Sequence, residues 1–433
     1  MASPSTEPST GPSAEPTPRP DTLMRNHDFL KLWAGQSLSL VGSQVTVLAM
    51  PIVAFLLLNA SVAEMGILGA LARLPMVLFL VVGVWVDRMR RRPVLIVSDS
   101  VRALMLATVP LFFLLDVLTL EWLYVVVFVM GVFGVLFEIA YRSYLPTLIA
   151  PEHLGQGNSH LQLSDSISKA AGPSLAGLLI AARSAPLVII IDVATYVASA
   201  LALLTIRKRE EPPAPDHGAS MLTAIRHGLA WVMSQPLIRP LAIASAVYSF
   251  FDIGILQTLY IPYLVDGVDI PAAWVGGVLA VGGVGAVIGA WLSIRAMKRF
   301  GPGPTMLWST VVGNGALILV PLAGGPFWLA ITMLVISQLL VGLCTQVFVV
   351  NNITVLQTAT PRELTGRVIA TIWAMGLVPA PLGALAAGLL GEALGMRPVV
   401  LVAALIGALV PIAVLALSPI PKMRTIPEAP LTT

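Results

Sequence analysis

The sequence predicts an all-α membrane protein, with twelve transmembrane helices in two six-helix halves related by a parallel pseudo-repeat. Three observations predict it. Of 433 residues, 57% are hydrophobic and 11% are charged, whereas a soluble globular chain carries about 25% charged residues. Lipid must therefore be the solvent for most of the surface. Apolar runs of roughly 20 to 30 residues, each long enough to cross a bilayer as a helix, recur twelve times along the chain. Short motifs from the first half also return in the second at a near-constant offset.

The elements follow in order. The opening "MASPSTEPSTGPSAEPTPRPD" is rich in Pro, Ser and Thr. It lacks the basic start and apolar core of a secretory signal, and residues 1–27 read as a disordered tail. The twelve runs begin near Phe29, Glu64, Pro93, Leu120, Leu161, Pro186, Arg239, Ala273, Pro304, Phe327, Arg367 and Pro398. The fifth is the weakest, because "LQLSDSISKAAGPSLAGLL" is polar in its first half. Strands of a membrane barrel alternate apolar and polar residues over about ten positions. These runs do not alternate, so they are predicted helical.

Lys and Arg set the orientation. With both tails on one side, the even-numbered loops collect Arg88, Arg90, Arg91, Arg92, Arg207, Lys208, Arg209, Arg226, Arg295, Lys298, Arg299, Arg362 and Arg367, and the C-terminal tail adds Lys422 and Arg424. The opposite loops hold only Arg183 and Arg397, with Asp116, Glu121, Asp266 and Asp269 beside them. Positive charge stays inside, which predicts cytoplasmic termini and a multi-pass protein of the cell (plasma or inner) membrane.

The repeat runs through the loops. "GVWVDRMRRRP" at Gly83 returns as "GAWLSIRAMKRFGPGP" at Gly289, 206 residues on. "LAGLL" around Gly177 returns as "AAGLL" around Gly388, 211 residues on. The expected organisation is a tail (1–27), a first six-helix half (28–206), a linker (207–238), a second half (239–418) and a tail (419–433). Within the linker, "RKREEPPAPDHGAS" is charged and then Pro-rich, and "MLTAIRHGLAWVMSQP" has the pattern of an amphipathic surface helix.

Several function classes are excluded. The single cysteine, Cys344, allows no intrachain disulfide and no cysteine metal cluster. The five histidines form no ligand pattern with neighbouring acids, so no metal site is expected. No G-x-x-x-x-G-K-[ST] loop is present, which argues against ATP as driver. No catalytic dyad or soluble domain suggests an enzyme, no cofactor is called for, and the net charge of +3 does not imply nucleic acid.

The knot "GVWVDRMRRRP" sits between the second and third runs. With twelve spans in two parallel halves, it resembles the signature G-x-x-x-D-R/K-x-G-R-R/K of the major facilitator superfamily of secondary transporters. Gly83, Asp87, Arg88, Arg91 and Arg92 match, and Arg90 stands where the second glycine is usual. "FLKLWAGQSLSLVG", "RLP", "SDSVRA", "GPSLAG" and "PRELTGRV" look similar to its drug and siderophore exporters, over about residues 26 to 418. The resemblance implies alternating access, a small-molecule substrate and a monomer. It also implies a conformational latch in which Asp87 meets the N-terminus of span eleven near Arg367, drawn there by the helix dipole. The neighbouring arginines would hold the loop through Asp99 or lipid phosphates. Gly172, Pro173 and Gly177 stand at the family's span-five packing motif. Two departures matter: Gly42 is followed by Ser43 and Gln44 rather than an acid, and the span-five motif lacks one glycine.

A coupling acid must therefore lie elsewhere. Ionisable residues inside spans are costly and mark functional candidates. They are Arg73, Asp99, Arg102, Glu138, Asp165, Lys169, Asp192 and Asp252. Asp99 and Arg102, three apart, can pair on one helix face, as can Asp165 and Lys169, four apart. Glu138 lies near the cytoplasmic end of its span. Rise per residue puts Asp192 within about a dozen ångströms of the outer surface, near water. Asp252 is deep and alone on its helix, at a depth similar to that of Arg73. Around it Tyr248, Phe251, Gln257 and Tyr260 suit a large, partly apolar solute. Gln338, Gln346 and Asn351 of span ten either line the same cavity or bond neighbouring helices. The expected function is proton-coupled export of a drug-like or secondary-metabolite solute. The alternatives are a siderophore exporter or uncoupled facilitator and, from another class, a lipid-handling scaffold.

Overall fold

A computed structural model describes residues 23–78, 89–150, 153–182, 184–208, 210, 229–359, 371–372 and 375–425. Every regular element among them is helical. Ten helices are long and apolar enough to cross a membrane. They are α1 (His27–Leu57), α3 (Arg91–Leu114), α4 (Leu120–Leu148), α6 (Ala185–Leu204), α7 (Ile238–Gly267), α8 (Trp274–Phe300), α9 (Pro302–Leu322), α10 (Phe327–Leu356), α11 (Met375–Leu394) and α12 (Met396–Ala416). Two more occupy the second and fifth positions. α2 (Val62–Arg73) continues as a tighter turn through Leu78, where the described stretch ends. α5 (Leu154–Ala182) is 29 residues long but too polar in its first half to count by composition.

Local chemistry sets the starts and turns. Asn26 caps α1 by accepting from the backbone N–H groups of Asp28 and Phe29 at 3.1 and 3.0 Å. Ser61 and Glu64 form a reciprocal capping box at the start of α2. Gly301 and Gly395 take φ = +86° between α8 and α9 and between α11 and α12, a conformation that side chains resist.

The repeat is visible in backbone geometry. α1 ends in a π-helical turn, Val53–Leu57, and α7 ends in one at Tyr263–Gly267. Asn59 and Asp269 follow with positive φ, and helical backbone resumes at Val62 and at Ala272, two residues ahead of the Trp274 start given for the α8 span. Each pair is 210 positions apart. Asn and Asp tolerate the left-handed region better than other side chains, which accounts for their shared role at these turns.

The bundle has a terminal end, where α1 begins and α12 finishes, and a far end opposite. One apolar cluster occupies the far end and draws on both halves, from Val45 and Met65 to Val278 and Ala387. The terminal end holds two separate clusters. One contains Phe29, Leu95, Tyr144 and Leu203, and the other Leu241, Met306, Leu356 and Leu415. The halves are thus joined at the far end, while each keeps its own core at the terminal end.

The join is made by backbone on backbone. A Cβ on Gly66 of α2 would lie 2.5 Å from the Cα of Gly388 on α11. A Cβ on Gly177 of α5 would lie 2.8 Å from the Cα of Gly276 on α8. The repeat maps Gly66 onto Gly276 and Gly177 onto Gly388, at 210 and 211 positions, so the two crossings are copies of one contact. Small residues permit such close approach of membrane helices.

Candidate functional site

Asp252 lies in a second π-helical stretch of α7, Ser249–Leu256. Wide turns of this kind often mark functional positions. They also bring residues five apart over one another, and here Gln257 Nε2 donates to Asp252 Oδ2 at 3.4 Å. Asp252 is 5% exposed, and the Tyr248 hydroxyl faces its carboxylate. Packing of α7 on α11 is tight here, since a Cβ on Gly254 would lie 2.7 Å from the Cα of Gly383. Phe250 and Phe251 meet edge to face with centroids 5.0 Å apart.

Arg73 reaches this region from the other half. Its Nη1 donates to the Gly69 carbonyl at 2.9 Å, and Gly69 packs on Thr258 of α7. The Arg73 and Asp252 charges attract one another but close no ion pair within 4 Å. The junction of the halves therefore holds a buried acid and a base, one on α7 and the other on α2.

A cavity of about 280 Å³ lies among α7, α9, α10, α11 and α12, from mid-depth toward the terminal end. Of the residues expected to line a cavity, Tyr248 lines this one. Phe251, Gln257, Tyr260, Gln338, Gln346 and Asn351 do not. Gln257, Tyr260 and Gln338 sit in the far half, where the two units are packed together, and Asn351 is fully buried and donates to Val347 O at 2.8 Å. The polar wall is instead made of Ser245, Ser309, Thr310, Asn314, Thr345 and Asn352. Such hydroxyls leave little signal in the sequence because in helices they commonly bond their own backbone, as Ser309 and Thr310 do with Met306 O, each at 2.9 Å. Ser249 Oγ and Asn352 Oδ1 are buried at the cavity without a hydrogen-bond partner, which leaves two groups for a solute or water to satisfy.

The remaining intramembrane charges fall into two kinds. Glu138 pairs with Arg142 at 2.7 Å and Asp165 with Lys169 at 2.8 Å, each pair on one helix and partly exposed. Asp99, Arg102 and Asp192 converge between α3 and α6. Rise along α6 predicts water near Asp192, but it is 0% exposed, because α1 and α3 cover its sides. Thr46 and Thr195 bond its carboxylate, the latter at 3.1 Å. Arg102 bonds Asp99 and lies between the rings of Phe137 and Tyr196, 4.6 and 4.4 Å from their centroids.

At the basic knot, Gly83, Asp87 and Arg88 lie outside the described residues, as does Arg367. The arginines that are described have a different partner from the one expected. Glu210, just after α6, accepts from the backbone N–H groups of Arg91 and Arg92 at 2.8 and 3.1 Å and from the Arg91 side chain at 3.3 Å. Asp99 is too far along α3 to serve them and is taken by Arg102. A carboxylate at a helix N-terminus is favoured by the dipole, so Glu210 caps α3, while Arg92 ties it to the carbonyls of Leu203 and Leu204. Of the span-five motif, Gly172 packs on Gln44 and Gly177 forms the crossing with Gly276. The Pro173 side chain lies outside the described ones.

These features define a multi-pass helical membrane protein whose two repeated halves share a junction. The chain belongs to the Major Facilitator Superfamily, which it matches over residues 32–337. It is 28% identical over 373 residues to the multidrug efflux pump Tap of Mycolicibacterium fortuitum, covering 82% of this chain and 87% of that one. It is 27% identical over 413 residues to the enterobactin exporter EntS of Escherichia coli O1:K1, covering 94% and 96%. In fold it resembles the crystal structure of the nucleoside transporter NupG (D323A mutant), with a TM-score of 0.76 at 14% identity, over 90% of this chain and 99% of that one.

Proposed function

We propose that this chain is a secondary active exporter of drug-like or secondary-metabolite solutes. It works by alternating access and is driven by proton entry, as a monomer in the cell membrane with both termini in the cytoplasm. The observation that carries the reading is the buried Asp252 of one half beside Arg73 of the other, at the join that must open and close. With the join closed, Arg73 favours the ionised acid and the proton leaves. With it open, Arg73 withdraws and Asp252 takes a proton from outside. The solute occupies the adjoining cavity, where Tyr248 touches both sites. The test is efflux of a fluorescent aromatic dye from proteoliposomes under an imposed pH gradient. Flux independent of pH overturns the coupling, and no flux of any solute favours a lipid-handling scaffold. The near full-length similarity to EntS supports a second reading, a siderophore exporter, in which a catecholate siderophore replaces the dye in the same assay.

The latch belongs to this reading. Asp87→Asn keeps size and removes charge, so it is expected to cut transport at least tenfold with normal insertion. Ser293, the matching position of the second half, is buried and donates to Ala290 O at 2.9 Å, so Ser293→Ala is expected to be mild. Equal loss in both, or none in Asp87→Asn, rules the latch out.

A further inference from the structure

We infer that the charged network inside the N-terminal half carries one bound proton, held on Asp192, as a site distinct from Asp252. Charge balance in a closed space requires it. Asp99 and Asp192 are both 0% exposed, and the Arg102 side chain is 11% exposed. An uncompensated charge at membrane depth is costly.

The groups that face the network are few. From α1 come Ser43 and Thr46, from α3 Asp99 and Arg102, and from α6 Asp192, Thr195, Tyr196 and Ser199. From α4 the nearest ring is Phe137; of the charged residues of that helix, Glu138 and Arg142 pair with each other and Glu121 lies in its first turn, sixteen residues before Phe137. On α5, Asp165 and Lys169 do the same. One guanidinium thus faces two carboxyl groups, and one proton makes the network neutral.

Geometry says which carboxyl takes it. Arg102 is committed to Asp99 by its hydrogen bond and fixed in place by the two rings. Asp192 has hydroxyl neighbours only at bonding distance. The Thr195 hydroxyl lies 2.8 Å from the Asp192 carbonyl and can spend its hydrogen there. Its oxygen then accepts the proton of the Asp192 carboxyl across the 3.1 Å contact with Oδ1. On the Gly42 side, α1 closes tightly over the carboxyl. A Cβ on Gly42 would already lie 2.2 Å from Thr195 Oγ1 and 2.7 Å from Asp192 Oδ1. Ser43, bonded to the Tyr196 hydroxyl at 2.9 Å, and Thr46 are half-buried on α1 and give the proton its way out.

The inference stands apart from coupling through Asp252, and infrared difference spectroscopy of the full chain in lipid nanodiscs separates the two. Wild type is expected to show a protonated-carboxyl C=O band at neutral pH that shifts in heavy water. Asp192→Asn is expected to lose it and Asp252→Asn to keep it. Thr195→Val, which preserves shape, is expected to move its frequency, and this holds the test open if Asp192→Asn fails to insert. A spectrum unchanged by Asp192→Asn, a band unmoved by Thr195→Val, or one displaced by sodium at constant pH overturns the inference. A band lost only in Asp252→Asn overturns it while leaving coupling through Asp252 intact.

Discussion

Asp252→Asn is expected to abolish pH-driven accumulation while leaving exchange of solute down its own gradient. One proton entering across one pH unit supplies about 1.4 kcal/mol, enough for a tenfold solute gradient. Without an acid to carry the proton, that ratio falls to about one. The variant should insert and fold, because asparagine keeps the shape and the bond from Gln257 at 3.4 Å while relieving a buried charge. Arg73→Ala is expected to lose coupling as well, since the attraction between the halves then no longer expels the proton. Efflux from proteoliposomes, measured against pH for the three proteins, decides it. Full pH-driven efflux in Asp252→Asn makes that residue structural and moves the search to Glu138 or Asp192.

Gly388→Val is expected to cripple turnover by blocking closure at the far end. Its Cβ alone would lie 2.8 Å from the Gly66 Cα and from the Ala63 carbonyl oxygen, and valine adds two methyl groups beyond it. Overpacking of this kind costs about 1–3 kcal/mol, which shifts the closed-to-open ratio roughly 5- to 150-fold. Gly277→Ala is the control, one residue beyond the other crossing, because its added Cβ meets nothing within 4 Å. The measurement is dye efflux at matched membrane levels, with spin-label distances across the far end reporting closure. Wild-type turnover in Gly388→Val would sink the crossing as a moving contact.

Much of this architecture is legible in the chain because lipid demands long apolar runs and interrupts them with glycine, proline and charge. The repeat is legible too, even to the "AGLL" around Gly177 and Gly388. What that repeat does is not, because each glycine contacts a different partner, and partners across a bundle leave no mark on linear spacing. The same blindness affects Asp192. Its height along α6 is countable, but the covering by Thr46 and Arg102 comes from helices elsewhere in the chain. Glu210 is invisible as a cap because it follows α6 in sequence and serves α3 in space. Aromatic and amide side chains around α7 suggest a solute path, but the described cavity has a mainly apolar wall whose polar groups are chiefly serines and threonines, whose hydroxyls suit either a solute or their own backbone.

The separate cores at the terminal end have a consequence for the order in which this chain is made. All the residues of the first cluster, Leu23 to Ile206, have been synthesised before any residue of the second, which begins at Val232. The first unit can therefore settle while the ribosome is still producing the second, as domains generally do. The far-end cluster waits for Ala404. Until α8 brings Gly276 and α11 brings Gly388, the surfaces around Gly177 and Gly66 have no partner of their own chain and must be covered by lipid or an insertion factor. A nascent chain arrested after the linker should already protect its first cluster from protease, with Gly177 remaining reachable until α8 arrives and Gly66 until α11 does.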